Sequence, residues 1–577
     1  APGLAMARDL YPLLPEDRYD VGPVVDAASG RIVIADVRLD NRLELAETLG
    51  LGAAEAAGLA DAAILAKAVA RWGEAAVNRL AGDFAFASWD PHERKLLLAR
   101  DALGQRPLHY RHGPGFLAVA SMPAGLLALP GARAEPDADS LVRFVGTLPW
   151  TDERSFYRGI CRVPPGHIAV VTPAGVALRR WWEPRPEPLR LAGPDAYRDA
   201  VRASLERAVA DRLRGAGGSI ATHLSGGLDS GGVTATAARL LVGAGRVTAF
   251  TATPRAGFSG PVPPNRVADE GPLAAATAAA FDNVDHVLVP GTGRSPLAGF
   301  DRNLFLFQRP VRNPANSVWL DAIMDAARER GLKVLLSGQT GNLSFSHSGL
   351  DALPALLAAG RVRHFLALVS ALRRHGTATR TVAGEILRGL LGPALWRAAD
   401  RIRRPRLYRT PASPAALARL RVGGAGQPAS RLRGLQGLDS GNFVKGRLAG
   451  WGVDLRDPTA DRRLVELCLA IPPEAFAAGG VPRGLARQVL ADRLPSAVLD
   501  ERRRGLQSAD WHDGYAAVSA EAAEELAGIA AQAGAGEVFD LEMLARLIGE
   551  PDAAGYDMLL RGLSAGHFFR RAGQPQD

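Results

Sequence analysis

The chain has 577 residues, 47% of them apolar, and a formal net charge of +9; that length exceeds one ordinary domain, and two to four are expected, each able to build its own core. Its two cysteines, Cys161 and Cys468, exclude a disulfide framework and a Cys-rich metal cluster, and they fit a reducing cytoplasm. The most apolar stretch, 115–129, is broken by Pro123 and too short to span a bilayer, while Pro2, Asp9 and Pro12 stand where a signal peptide needs a basic start and an apolar run; a cytoplasmic protein without membrane contact is expected.

The first elements are short strands between turns. Arg31-Ile32-Val33-Ile34-Ala35 is strand-like, and Phe84 to Trp89 alternates like a strand before the turn at Asp90-Pro91. Lys95 to Ala99 and Phe116 to Ala120 continue in that style. Ile64, Leu65, Val69 and Trp72 are spaced for a helix over 61–72, with Asp61 suited to its first turn. This predicts an α+β domain of layered antiparallel sheets over 1–183, followed by a Pro-rich linker at 184–196.

From 197 to 577 the pattern changes. A helix at 197–213 leads to an apolar strand at 219–224, then a glycine loop and a helix from about Gly231. Further strands at 247–252, 284–289 and 333–336 alternate with helices such as 271–281, which indicates a parallel sheet covered on both faces. The last third reads as mainly helical. It contains an Arg-rich insert at about 355–435, where sixteen Arg between Arg361 and Arg433 face only Glu385 and Asp400. Arg contacts phosphates, but the aromatics there are sparse (Phe365, Trp396, Tyr408) and no nucleic-acid motif occurs. Solvated helix faces, or an acidic or peptide partner, are preferred over nucleic acid.

The sharpest motif is Ser225-Gly226-Gly227-Leu228-Asp229-Ser230, between a strand and a helix. Glycines let the backbone turn tightly and bring its N–H groups to an anion, and the helix N-terminus adds partial positive charge. Asp229 can hold Mg²⁺ against phosphate oxygens, and Ser225 and Ser230 add hydrogen bonds. The bland alternative is a ligand-free strand-to-helix turn. No Gly-Lys-Ser/Thr follows, so this is not a Walker A loop.

The loop resembles that of the ATP pyrophosphatases, which cut ATP to AMP and pyrophosphate. The resemblance extends along nearly the whole chain to glutamine-dependent asparagine synthetases. Its matches are Leu80 to Phe86 and Leu98 to Leu108 in the first domain, then Asp269-Glu270, Val334 to Gly338 and Arg456 to Asp461 in the second. It implies an N-terminal glutaminase-like (Ntn) domain and a C-terminal ATP-pyrophosphatase domain with a helical extension, using ATP and Mg²⁺. A glutaminase of this kind uses an N-terminal cysteine as nucleophile, whereas this sequence starts with Ala1. It also has Asp36-Val37-Arg38 where the family grips glutamine with Asn-Gly-Glu. A domain without glutaminase activity is therefore expected.

After Ser337-Gly338 the family places acidic residues. Here Gln339-Thr340-Gly341-Asn342 follow, which marks Gln339, Thr340 and Asn342 as substrate contacts and Asn342 as an uncharged second metal ligand. Arg503, in Arg502-Arg503-Arg504-Gly505, stands in for a family lysine that would stabilise pyrophosphate. For the base that frees the amine, His347 is a candidate and Lys445 a second one; a structural histidine and a surface Arg cluster are the plain alternatives. With no ammonia from glutamine, an amine already in the substrate is the natural nucleophile. The 339–342 and 505–511 segments resemble the lasso-peptide macrolactam synthetases, which join a peptide N-terminus to an Asp or Glu side chain. Implied partners are a precursor-peptide core, a leader peptidase and a leader-binding protein. A β-lactam-type ring closure, asparagine synthesis from free ammonia and a non-catalytic scaffold are the alternatives.

Overall fold

The computed structural model describes residues 3–148, 150, 152–183, 187–291, 293–403, 409–420, 431–549 and 553–572. The first domain carries strands β1 (Val24–Val25), β2 (Ile32–Leu39), β3 (Gly82–Asp90), β4 (Lys95–Arg100), β5 (His109–Gly113), β6 (Phe116–Ala120), β7 (Cys161–Arg162), β8 (His167–Thr172) and β9 (Gly175–Arg180). They form a six-stranded sheet, β1-β2-β3-β4-β8-β9, and a three-stranded sheet, β6-β5-β7, with antiparallel pairing throughout. The alternation along β3 explains the layering. Phe84 and Phe86 face the helix Asp61–Trp72, while Ala85 and Ala87 pack toward Leu108 and Tyr110 of the smaller sheet.

The second domain adds β10 (Ser219–His223), β11 (Arg246–Thr253), β12 (Arg266–Val267), β13 (Val284–Pro290), β14 (Val334–Leu336), β15 (Asp454–Arg456) and β16 (Arg504–Gly505). Five of these make a sheet in the order β13-β11-β10-β14-β15, parallel throughout. Ile220, Val334 and Leu336 pack under helices 194–213 and 228–240, while Ala221 and Leu335 pack with Ile323, Met324 and Trp451 on the opposite face. The chain moves outward from β10 in one direction and later returns to its other side with β14. Ligands of open α/β sheets bind outside the carboxyl ends of the strands at that reversal.

Three boundaries differ from expectation. The helix after the glycine loop begins at Leu228, so Asp229 lies in its first turn; the helix expected from Tyr197 begins at Pro194; and the one from Gly271 ends at Ala278. Part of the linker, 184–186, lies outside the described residues. The rest is pinned, because Leu189 N donates to Ala470 O at 2.8 Å and Leu189 O accepts from the Tyr197 hydroxyl at 2.9 Å. The Arg-rich insert forms helices at Ala352–Ala358, Val362–Arg374 and Thr379–Arg403 around Leu353, Leu372 and Val382. Its residues 404–408, with Tyr408, and 421–430 lie outside the described residues.

Buried ion pairs join the domains. Arg38 Nε meets Asp40 Oδ1 at 3.0 Å, and Asp40 Oδ2 meets Arg212 Nη1 of the second domain at 3.2 Å, which also reaches Asp461 at 3.0 Å. Arg106 pairs with Asp454 at 3.4 Å, and Arg100 with Asp439 at 2.5 Å. Such pairs fix orientation more than they add stability, since desolvation offsets much of their attraction.

Candidate active site

The loop after β10 is closed on itself by its serines. Ser230 Oγ accepts from Ser225 N at 3.0 Å and lies 2.8 Å from Ser225 Oγ, which accepts from Gly227 N at 3.2 Å. Gly226 N donates to Glu270 Oε1 at 3.1 Å, so this amide already points at an anion. A Cβ at Gly226 would meet Leu273 at 2.8 Å, and one at Gly505, brought alongside by the parallel pairing of β12 and β16, would meet Glu270 at 2.1 Å. Burial raises the Glu270 carboxyl pKa against the Gly226 amide and the Ser225 hydroxyl.

Asp229 is the centre of the site. Its Oδ1 accepts from Ser346 Oγ, and its Oδ2 lies 4.0 Å from Arg483 Nη1. Burial pushes its pKa up to about 6, opposed by Arg483 and Ser346, with the charge of Asp457 adding to the rise. A Cβ at Gly338 would lie 2.8 Å from the Asp229 carbonyl, and one at Gly341 2.2 Å from its Oδ1. The segment after β14 can close over Asp229 only because these two positions are glycines. Asp457 holds that segment by accepting from Thr340 N at 2.8 Å, and Arg431 donates to the carbonyls of Leu343 and Ser344.

The residues singled out in the sequence divide into two groups. Ser225, Gly226, Gly227, Leu228, Asp229, Ser230, Gly338 and Thr340 come together at the ends of β10 and β14, and Gln339 and Asn342 are exposed beside them. The Asn342 oxygen, expected on a metal, instead accepts from Arg483 Nη2. Arg503, expected on pyrophosphate, is exposed and paired with Glu501 at 2.6 Å. Lys445 is paired with Asp36 of the first domain at 2.7 Å. His347 Nδ1 accepts from Gly349 N at 3.2 Å and its ring meets Phe476 edge-on at 5.6 Å; burial lowers its pKa to about 4. Neither Lys445 nor His347 has a described hydrogen bond to the loop.

Arg483, Ser346 and the half-buried Asp457 also stand at this site, and the sequence reading does not single them out. Arg483 has φ of +62°, in a region that bulky residues rarely occupy. Its backbone is held by a hydrogen bond to Ser348 O at 3.2 Å and by the close approach of Gly484 to Ala478 O, 2.0 Å from an added Cβ. The only signal was the turn-forming run Gly479-Gly480-Val481-Pro482 before it.

The donor set fits MgATP. The Gly226 amide and the Ser225 hydroxyl face an anion, the half-buried Asp229 carboxylate lacks a full counter-charge, and Asp457 stands nearby. No cluster of three or more His, Cys, Asp or Glu is preassembled for a metal among the described residues. That suits a cation shared between one or two carboxylates and phosphate oxygens.

The chain thus combines a doubly wound parallel-sheet α/β domain, with a glycine-serine loop at its reversal, and an antiparallel two-sheet domain. The chain belongs to the asparagine synthase family, which it matches over residues 200–565, and residues 19–182 match the glutamine amidotransferase domain. It is 33% identical over 183 residues to asparagine synthetase (glutamine-hydrolysing) 3 of Bacillus subtilis, covering 31% of this chain and 29% of the relative. It is 31% identical over 277 residues to a Mycobacterium tuberculosis protein named provisionally as a glutamine-hydrolysing asparagine synthetase, covering 46% and 40%. It is 27% identical over 306 residues to amidase chry2 of Gibberella zeae, covering 52% and 44%. Each match spans less than half of the relative's length. Among the described residues no helix is long and apolar enough to cross a membrane.

Proposed function

We propose that this protein is an ATP-dependent, AMP-forming carbon–nitrogen ligase without glutaminase activity, which closes an amide using an amine its substrate already carries. The observation that carries the adenylation reading is Asp229, half-buried in the first turn of the helix that follows the glycine loop, with Arg483 4.0 Å away. A carboxylate oxygen of the substrate attacks the α-phosphorus of ATP, and the bond to the β-phosphate oxygen breaks, giving an acyl-adenylate and pyrophosphate. The amine then attacks the acyl carbon, AMP leaves and the ammonium proton is lost. Mg²⁺, held by Asp229 with Asp457 nearby, would neutralise charge growing on pyrophosphate. The loop amides and the Arg483 guanidinium supply the rest of that stabilisation, and closure of the 337–346 segment keeps water from the adenylate.

The absence of glutaminase activity is supported by Arg38. This side chain, 2% exposed, is buried against Asp40 and Asp83, while Asp36 is drawn to Lys445 and Arg106. Burial opposes ionisation of Asp36, but Lys445 and Arg106 outweigh it and hold its carboxyl well below the usual range. Glutamine would have to displace these pairs. The finer reading is closure of a lasso-type macrolactam between a peptide N-terminal amine and an Asp or Glu side chain. It is supported by the exposed amides Gln339 and Asn342 at the mouth and by the 505–511 segment, whose Gln507 accepts from Asn316 at 2.6 Å. ATP–pyrophosphate exchange with peptides carrying a free N-terminus and an acidic residue tests this. Exchange in wild type and a drop of about 10²-fold or more in Asp229→Ala are expected, and equal exchange in the two would refute the assignment.

A further inference from the structure

On the sheet face opposite the phosphate-loop helix, the strand ends carry polar groups that the adenylation scheme does not use. Ala221 pairs with Leu335 and Thr222 with Leu336 in the parallel register of β10 and β14. One residue further on, His223 and Ser337 stand side by side and face the same way as Ala221 and Leu335. Thr222, facing the other way, binds Thr234 of the phosphate-loop helix at 2.9 Å. Trp319 meets the His223 ring edge-on at 5.9 Å. Arg447, 6% exposed, lies 5.1 Å over the Phe307 ring, and its charge acts on both His223 and Asp321.

Four polar atoms here are sealed from solvent and have no hydrogen-bond partner: His223 Nε2, Ser337 Oγ, Asp321 Oδ1 and Arg447 Nε. No hydrogen bond is made by the Arg447 guanidinium to any described residue. Buried polar groups of native proteins are normally satisfied, so a group of sealed atoms without partners calls for an explanation. His223 Nε2 and Ser337 Oγ at the ends of the two strands that frame the phosphate loop, with Asp321 Oδ1 on the helix Pro314–Glu329 and Arg447 Nε on the helix Gly441–Trp451, mark a place built for a ligand. The charges specify its class, a cation acceptor in Asp321 and an anion receptor in Arg447, with neutral donors or acceptors in His223 and Ser337 and an indole wall.

We infer that His223, Trp319, Asp321, Ser337 and Arg447 form an acceptor subsite for a ligand that presents an ammonium and a carboxylate together, with Asp321 taking the first and Arg447 the second. These are the two groups that the proposed ligation joins, so the assignment of roles rests on that reading, whereas the binding itself does not. Burial keeps His223 neutral, with its pKa lowered to about 3, and pushes that of Asp321 up to about 6 against Arg447 and Arg302. Asp321 is therefore largely ionised at neutral pH, and ammonium binding would favour that form.

The test is calorimetric binding of glycyl-aspartic acid amide to the full chain without ATP, with N-acetyl-glycyl-asparagine amide as the uncharged control. Wild type should bind the first and not the second, and Arg447→Met and Asp321→Asn should each weaken binding at least tenfold. Thermal unfolding separates this from a structural role. At pH 5, where most of Asp321 is protonated and needs no counter-charge, replacing a guanidinium that makes no hydrogen bond by an apolar side chain of similar length leaves the melting temperature unchanged or raised. Loss of folding or a clear drop in melting temperature in Arg447→Met would show that the arginine holds the fold, and would overturn the subsite. No binding in wild type, or binding by either variant as tight as in wild type, would overturn it too. Binding retained where pyrophosphate exchange is absent would sink the adenylation reading alone; exchange without binding would sink the subsite alone.

Discussion

Asp229→Asn isolates the energetic cost of the central carboxylate. Burial raises its pKa from 3.8 to about 6, so the folded protein holds this proton more tightly than the unfolded chain. The stability associated with it is fully present below about pH 3.8 and is lost as pH rises through about 6. A rise of that size corresponds to about 3 kcal/mol, of which about 1.3 kcal/mol is lost between pH 5 and pH 7. Asparagine does not titrate, and it keeps an oxygen for the Ser346 hydroxyl. The stability of Asp229→Asn relative to wild type should therefore climb by about that amount from pH 5 to pH 7 and then level off. The Arg483 interaction acts on the ionised carboxylate alone and is already contained in that pKa, so it adds no further pH dependence. Urea unfolding of both proteins across this range measures the difference, and other titrating carboxyls cancel in it. A difference that is flat or falls with pH would refute the claim that Asp229 is held ionised at a cost in the apo protein.

Other outcomes follow from the same geometry. Arg483→Gly should relieve the positive φ and leave stability unchanged or improved while lowering pyrophosphate exchange about 10–100-fold, whereas Arg503→Ala, on an exposed side chain, should change exchange by less than about threefold; steady-state exchange rates compare them. Gly341→Ala places a methyl carbon 2.2 Å from Asp229 Oδ1 and should cost about 1–3 kcal/mol in urea unfolding together with most of the activity. Arg38→Glu adds a carboxylate beside Asp40 and Asp83 and removes their cation; it should destabilise by about 3–5 kcal/mol and yield no glutamate release from glutamine.

Elements whose burial is one-sided or complete were the legible ones. The apolar runs at 219–224, 247–252, 284–289 and 333–336 became β10, β11, β13 and β14 within a few residues; the inner strands β10, β11 and β14 are legible because strands covered by the sheet's helices are apolar, whereas β13, an edge strand with no fully buried residue, is legible from its valines and leucine alone. The glycine-serine loop was legible because its residues are adjacent in sequence and its chemistry is local. Arg483 was not, since its approach to Asp229 depends on a left-handed turn more than 250 residues away, and spacing carries no trace of side-chain direction there. Arg503 and Lys445 were misplaced for the complementary reason. Each is a cation near the right segment, but Glu501 holds one and Asp36 of the first domain holds the other. His223 looked like an ordinary strand residue until the register set it beside Ser337.

The most direct test of the central claim is product analysis with wild-type enzyme, MgATP and a peptide bearing a free N-terminus and an acidic side chain. The account predicts AMP and pyrophosphate in equal amounts and a peptide lighter by one water, with no glutamine required and no glutamate formed. ADP and phosphate as products, or turnover that depends on glutamine hydrolysis by this chain, would contradict it.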